Sequence, residues 1–362
     1  MAWGFVAELA SKLYLAGLHL HRALTTATSI PNVYKTISVG NIAVGGTGKT
    51  PVVEYFAREC SKRNGIPLIL SRGYGNDERY QYKLNCPECT MIGICANRVE
   101  GAKRVLKSHG CGTNNKEKIF AILDDGFQTW HVRRDENIVC VSCLNPWSNG
   151  HTLPLGKLRE PISALKRATR IILTNSDMVS TQQVDSIQRQ IFQAVGHENV
   201  LFSKGNMTPA YFLERPSELL AFDSKNTRLC QTSTVQIGSF SFERLELHHL
   251  HLPEEIVPVS GIEDPRPFHK LLDDLGFNLS QHGCAARLGV FQDHHTFSRK
   301  DIDRIFGLGK RVVTTQKDAC RMAHHENSSL SSFFFERLDP LILVSKMELS
   351  NGGELWADDL FS

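Results

Sequence analysis

The chain has 362 residues, of which 41% are apolar and 22% charged, and its formal net charge is +3. That length fits one large domain or two ordinary ones, and the composition excludes a disordered or fibrous chain. The charge is too small to argue for nucleic acid, no RNA-binding motif accompanies it, and no nucleic-acid partner is expected.

Ten cysteines in so long a chain do not read as a disulfide framework; they read as mostly buried thiols. No run reaches the roughly 18 uninterrupted apolar residues of a spanning helix. The first twenty residues set Phe5, Leu9, Leu13, Ala16 and Leu20 on one helical stripe, with Glu8, Lys12 and His19 on another. Three readings fit this pattern: a helix packed on the protein's own core, a helix lying in a membrane interface, or a targeting segment, since acidic residues are rare before Glu54.

A β-branched strand is expected over Thr36–Val39. It runs into the Gly-rich segment GNIAVGGTGKTP at 40–51, and a helix follows over Val52–Arg63. Next come a strand at Ile66–Leu70 ending in SRGYG, an irregular stretch at 76–95, and a helix at Asn97–His109 stopped by Gly110. Strand Ile119–Leu123 ends in Asp124-Asp125-Gly126. Ile138–Cys143 reads as a strand, Ile162–Ala168 as helical and Arg170–Thr174 as a strand. Residues 205–250 are weakly patterned, and a domain boundary is placed there. A second α/β unit follows: strand Ile256–Val259, helix Pro267–Leu275, and strands Val312–Thr315 and Leu341–Val344. Strands alternating with helices predict an α/β fold with a parallel sheet, whose functional residues lie beyond the carboxyl ends of the strands.

The strongest local signal is Gly45-Gly46-Thr47-Gly48-Lys49-Thr50, between a strand and a helix. Glycines let backbone N–H groups turn inward around an anion, and the helix N-terminus adds partial positive charge. Lys49 can reach the β- and γ-phosphates of a nucleotide, and the Thr50 hydroxyl can ligate Mg²⁺. Ala43 stands where the usual phosphate-loop pattern has glycine. Asp124 and Asp125, at the end of a neighbouring strand, supply the carboxylate such a site needs for its metal; the sequence does not choose between them.

The ordered set SVGNIAVGGTGKTP, LSRGYG, ILDDGFQ with RRD after it, NGHTLPLGKLREP, GIEDPRPF, FQDHH and TTQKDA resembles the tetraacyldisaccharide 4'-kinase family over roughly residues 5–320. CLNPWSNGHTLPLGKLREP looks closest to plant members. The resemblance implies a P-loop NTPase-like parallel-sheet lobe at 25–205, a smaller α/β lobe at 206–362 closing over the nucleotide, and an interfacial membrane helix at 1–24. It implies ATP and Mg²⁺ as cofactors and an acylated disaccharide 1-phosphate lipid as partner, phosphorylated on its 4'-hydroxyl to lipid IVA. A membrane location follows: mitochondrial for a plant or alga, the cytoplasmic face of the inner membrane for a bacterium. The N-terminus shows no obvious separate presequence.

Residue by residue, the resemblance gives Asp77, in Asn76-Asp77-Glu78 where the family has Gly-Asp-Glu, the part of catalytic base. His294, in Asp293-His294, becomes its partner. Arg72, Arg133 and Arg159 would meet the substrate phosphate or the transferring phosphoryl group, Glu160 the metal, and Lys317 with Asp318 the nucleotide. Two other readings compete. Cys86-x-x-Cys89 and Cys140-x-x-Cys143 have the form of a zinc module, though Cys140 and Cys143 fall in a strand with side chains on opposite faces. A GTPase-like switch would use the same phosphate loop with Thr315–Asp318, some 265 residues after Lys49 by the numbering.

Overall fold

A computed structural model describes residues 2–73, 76–110, 117–196, 201–214, 234–247, 256–277, 279, 289–308, 310–350 and 353–362. The chain forms two compact units. One holds Met1–Tyr74, Asn85–Asn206 and Met347–Ser362; the other holds Gly75–Leu84 and Met207–Lys346. The expected division into contiguous lobes at 25–205 and 206–362 therefore differs at two places, 75–84 and 347–362. Two of the passages between units fall inside strands, at 206/207 and at 346/347.

The first unit is a parallel sheet. Strands β1 (Lys35–Gly40), β2 (Ile66–Ser71), β3 (Met91–Ile94), β4 (Ile119–Asp124), β5 (Glu136–Ser142), β6 (Arg170–Thr174) and the start of β7 (Leu201–Glu214) lie in the order β7-β6-β5-β1-β4-β2-β3. Every described pairing among them is parallel. Strand β4 is buried at every residue, the pattern of a strand covered on both faces.

Helix α1 spans Ala2–Leu24, α2 Lys49–Lys62, α3 Asn76–Asn85, α4 Arg98–Ser108 and α5 Thr181–Val195. Helix α5 packs Ile187 and Ile191 on Val139, Val141, Ile171 and Leu173. Helix α4 packs Val99 and Ala102 on Leu68, Leu70, Ala121 and Leu123. Asn97 caps α4 through its side chain, and Gly110 takes φ +66° just past its end.

The second unit carries β8 (Thr234–Ile237) and β9 (Phe240–Glu246), which form an antiparallel hairpin beside the later part of β7. It also holds the parallel set β10 (Ile256–Val259), β11 (Arg311–Thr315) and β12 (Leu341–Ser350). Helices α6 (Arg266–Asp274), α7 (Arg299–Phe306), α8 (Gln316–Ala323) and α9 (Ser328–Leu338) follow in the same unit. Helix α10 (Gly353–Phe361) belongs to the first unit. There the Phe361 ring meets Phe56 and Phe120, and Asp358 pairs with Arg63.

Several expectations need correcting. Residues 76–95 are not irregular: α3 is short and mostly polar but packs Tyr80 and Leu84 on a core and buries Tyr82 completely, and β3 is too short to show a period. The weak stretch from 205 contains β7, β8 and β9, whose polar residues and Pro209 mask the strand signal. The helical stretch expected at Ile162–Ala168 is present as a 3₁₀ helix over Ile162–Arg167. The sequence reading passed over α5 altogether.

In α1 the apolar stripe does not pack on a core. Leu9, Leu13 and Leu20 are 49%, 66% and 61% exposed, and Leu24 is open as well. The packed side instead buries Ser11, which donates to the Thr152 carbonyl at 2.9 Å and accepts from the Leu155 N–H. Phe5's side chain lies outside the described residues. Among the described residues no helix is long and apolar enough to cross a membrane.

Truncating Phe361 to Ala should cost about 3 kcal/mol of stability, the usual loss for a buried aromatic. Denaturant unfolding would measure it, and a change below about 1 kcal/mol would contradict the packing of α10 on the first unit.

Candidate active site

The phosphate loop leaves β1 at Gly40 and enters α2 at Lys49. Two of its glycines sit where a side chain would strain the backbone: Gly45 at φ +117° and Gly48 at φ +78°. Gly48 is the N-cap of α2, so Lys49 and Thr50 open that helix. The loop is tied from three sides. Asn41 donates to the Thr47 hydroxyl at 2.8 Å, Thr174 donates to the Thr47 carbonyl at 3.0 Å, and Val44 N–H donates to the Lys157 carbonyl at 2.8 Å. Ala43 takes no left-handed backbone and packs its methyl in the core cluster with Leu158. Glycine's freedom is not needed there, which explains why the departure from the usual pattern is tolerated.

Asp125 stands across from this loop, in a left-handed turn after β4 (φ +50°). The Lys49 ammonium lies 3.7 Å from its Oδ1, and Arg159 donates to both carboxylate oxygens at 2.9 and 2.7 Å. Burial pushes the Asp125 carboxyl up, but Lys49, Arg159 and Arg98 together outweigh it and hold the group below the ordinary aspartate range. Asp124 is 3% exposed at the end of β4, in register with Val39. Gly126 must be glycine, since a Cβ there would meet the Ser38 hydroxyl at 2.5 Å.

A second tier supports Arg159. Its backbone N–H donates to the Ile42 carbonyl at 2.7 Å. Gln128 donates to the Asn41 carbonyl at 3.0 Å and to Glu160 at 2.9 Å. Glu160 is nearly fully buried, and Arg167 clasps both its oxygens at 2.8 and 2.7 Å. That contact set is a buried ion pair, the setting in which the sequence expectation places a metal ligand. Sequence reasoning also missed Asn41, Gln128, Arg167, Thr174 and Arg134. Arg134 donates to the Gly126 and Phe127 carbonyls at 2.6 and 3.1 Å, behind the turn. RRD offered two arginines; the one singled out, Arg133, is exposed, as is Arg72.

In the second unit, Asp77 lies in the first turn of α3, with its side chain outside the described residues. His294 has φ +57° and a 59% exposed side chain, its Nε2 3.7 Å from Asp293. Asp318 is fully enclosed. It accepts from Gly261 N–H at 3.1 Å, Thr315 Oγ1 at 2.6 Å and Arg321 at 3.0 Å. Burial pushes its carboxyl up against those three donors. Asp318 therefore serves as an internal tie in the first turn of α8, whose N-cap is Thr315. Lys317, beside it, is half-buried. Of the CxxC cysteines, Cys140 and Cys143 are buried, and burial pushes their thiols up to about 12 and about 11. Among the described residues no group of three or more His, Cys, Asp or Glu is placed to hold a metal.

The phosphate loop, the DDG turn and the 151–160 loop thus converge on one ion cluster. A model of the LpxK family, tetraacyldisaccharide-1-P 4'-kinase, matches residues 5–88 and 77–350. The chain belongs to this family. It is 31% identical over 343 residues to a probable tetraacyldisaccharide 4'-kinase, mitochondrial, of Arabidopsis thaliana, covering 86% of this chain and 79% of that one. It is 27% identical over 354 residues to the tetraacyldisaccharide 4'-kinase of Halothermothrix orenii, covering 89% and 84%. The solved structure of LpxK from Aquifex aeolicus in complex with ATP shares the fold, with a TM-score of 0.60 at 20% identity over 100% of this chain and 98% of that one.

A carboxyl whose folded pKa is depressed stabilises the fold above its unfolded pKa, and that stability is lost as pH falls through the folded value. Asp125→Asn should therefore flatten the fall in stability just below the ordinary carboxylate range. Urea unfolding across acid pH would show it; an unchanged slope would contradict the Asp125 ion cluster.

Proposed function

We propose that the chain moves the γ-phosphoryl group of ATP onto the 4'-hydroxyl of a tetraacylated glucosamine disaccharide 1-phosphate, giving lipid IVA. The observation that carries this reading is the Lys49–Asp125–Arg159 cluster at the mouth of a phosphate loop, in a chain of this family.

The backbone N–H groups of Gly45, Gly46, Thr47 and Gly48 receive the phosphates, and Lys49 neutralises the β- and γ-oxygens. Thr50 with Asp124 and Asp125 makes an all-oxygen donor set, the kind Mg²⁺ takes, and that ion would supply charge neutralisation across the same oxygens. Arg159 offers a planar fork to the transferring group. Asp77 accepts the proton of the sugar hydroxyl while its oxygen bonds to the γ-phosphorus and ADP leaves; His294 orients that carboxylate. Arg72 and Arg133, both exposed, receive the substrate's own phosphate, and Lys317 the nucleotide. Asp318, Glu160 and Arg167 position their neighbours and do not touch the reactants.

The exposed stripe of α1 supports seating that helix in a membrane surface, beside a lipid that does not leave it. The name of the Arabidopsis relative supports a mitochondrial membrane for a plant or algal source.

Purified protein given labelled ATP, Mg²⁺ and the lipid in detergent micelles should form labelled lipid. Lys49→Ala and Asp77→Ala should each lower the rate by about a hundredfold or more. Folded, ATP-binding protein that labels no lipid would refute the reading. Leu9→Glu with Leu13→Glu should release the protein from sedimenting vesicles without moving its unfolding midpoint; full retention on the vesicles would contradict the seating of α1.

A further inference from the structure

Away from the phosphate loop, the first unit holds a cavity of about 360 Å³ whose walls include Arg22, Arg134 and Arg167. They come from three separate places: the last turn of α1, the segment before β5 and the 3₁₀ turn before β6. Their charges are unevenly compensated. Arg167 is paired with Glu160. Arg134 donates to the two carbonyls behind the DDG turn, and Glu160, already clasped by Arg167, is the carboxylate that acts on its charge. Arg22 has no ion-pair partner among the described residues. The one carboxylate on the wall, Asp135, already accepts from the Thr36 N–H at 2.7 Å. Burial, then the neighbouring Arg167 and Arg22, push the Arg134 guanidinium down to about 10 against the opposing pull of Glu160, as expected where like charges outnumber the counter-charge.

Two further wall residues are over nine-tenths buried and carry polar atoms without partners. Trp130, at 7% exposure, has an unpaired Nε1–H; Asn137, also at 7%, has an unpaired Oδ1. Buried polar groups are rarely left unmet unless something else meets them. The cavity also lies at the end of α1, past the exposed Leu20 and Leu24.

We propose that this cavity binds the headgroup of an anionic phospholipid, its phosphate between Arg22, Arg134 and Arg167. The proposal draws on the interfacial reading of α1 but not on the kinase reaction. It gives the membrane-facing helix a polar anchor at its C-terminal end. Charge-assisted contacts from arginine suit phosphate, and a cluster of cations favours a headgroup of net negative charge over zwitterionic choline.

The test is fluorescence titration of the full chain with dihexanoyl phosphatidylglycerol below its micelle concentration, against dihexanoyl phosphatidylcholine, glycerol phosphate and inorganic phosphate. Phosphatidylglycerol should bind saturably and phosphatidylcholine should not. The change should come from Trp130, one of four tryptophans, and vanish in Trp130→Phe. Arg22→Glu, at an exposed position, should weaken binding about tenfold or more, while Lys12→Ala, a cation of α1 away from the cavity, should not. Absence of saturable binding, or equal affinity in Arg22→Glu, would overturn the proposal. Inorganic phosphate or glycerol phosphate binding as tightly as the lipid would make the site one for free anions and overturn the lipid assignment. If the soluble lipid binds but the Leu9 and Leu13 variants still sediment with vesicles, the seating of α1 fails and the cavity stands.

Discussion

A single carboxylate organises the first unit. Asp125 is mostly buried between a lysine and an arginine, and each comes from a different loop. Taking a charge out of water is costly unless its partners are held in place, and removing one partner strands the rest. The fold supplies the restraint. Lys49 is fixed by opening α2, Arg159 by its bond to Ile42, and Asp125 by a turn that Gly126 alone can make against Ser38. The outer pair, Glu160 with Arg167, and the bridging Gln128 hold that arginine loop against the phosphate loop.

The parallel sheet explains why these pieces meet. Strands β1 and β4 are neighbours in register, so the loops at their carboxyl ends open side by side. The second unit repeats a strand–turn–helix at Thr315–Asp318 with a different outcome. There the aspartate is turned inward to Gly261, Thr315 and Arg321, and the turn closes on itself. Two turns of similar sequence grammar thus separate into one that keeps a charged mouth and one that serves as a tie.

Much of this was legible in the sequence because it rests on local rules. The β-branched strand before the glycines, the apolar run before Asp124 and the Asn97 cap each announce themselves over a few residues. What escaped depends on distant partners. Nothing near Glu160 shows that Arg167 will take both its oxygens, and nothing near Asp318 shows that Gly261 will face it. Helix α3 is short and mostly polar, and Tyr80, Tyr82 and Leu84 show their role only once they are seen packed. The α1 stripe was legible as a pattern, but its direction was not, since facing outward is a property of what Ser11 binds on the other side.

The claim that Asp125 sets the nucleotide and metal seat is open to direct measurement. Calorimetric titration of ATP, with and without Mg²⁺, should show tighter binding with the ion in the wild-type chain. In Asp125→Asn that gain should fall by about tenfold, the loss of roughly one charge-assisted contact. An Asp125→Asn variant that keeps both the affinity and the full Mg²⁺ dependence would contradict the account at its centre.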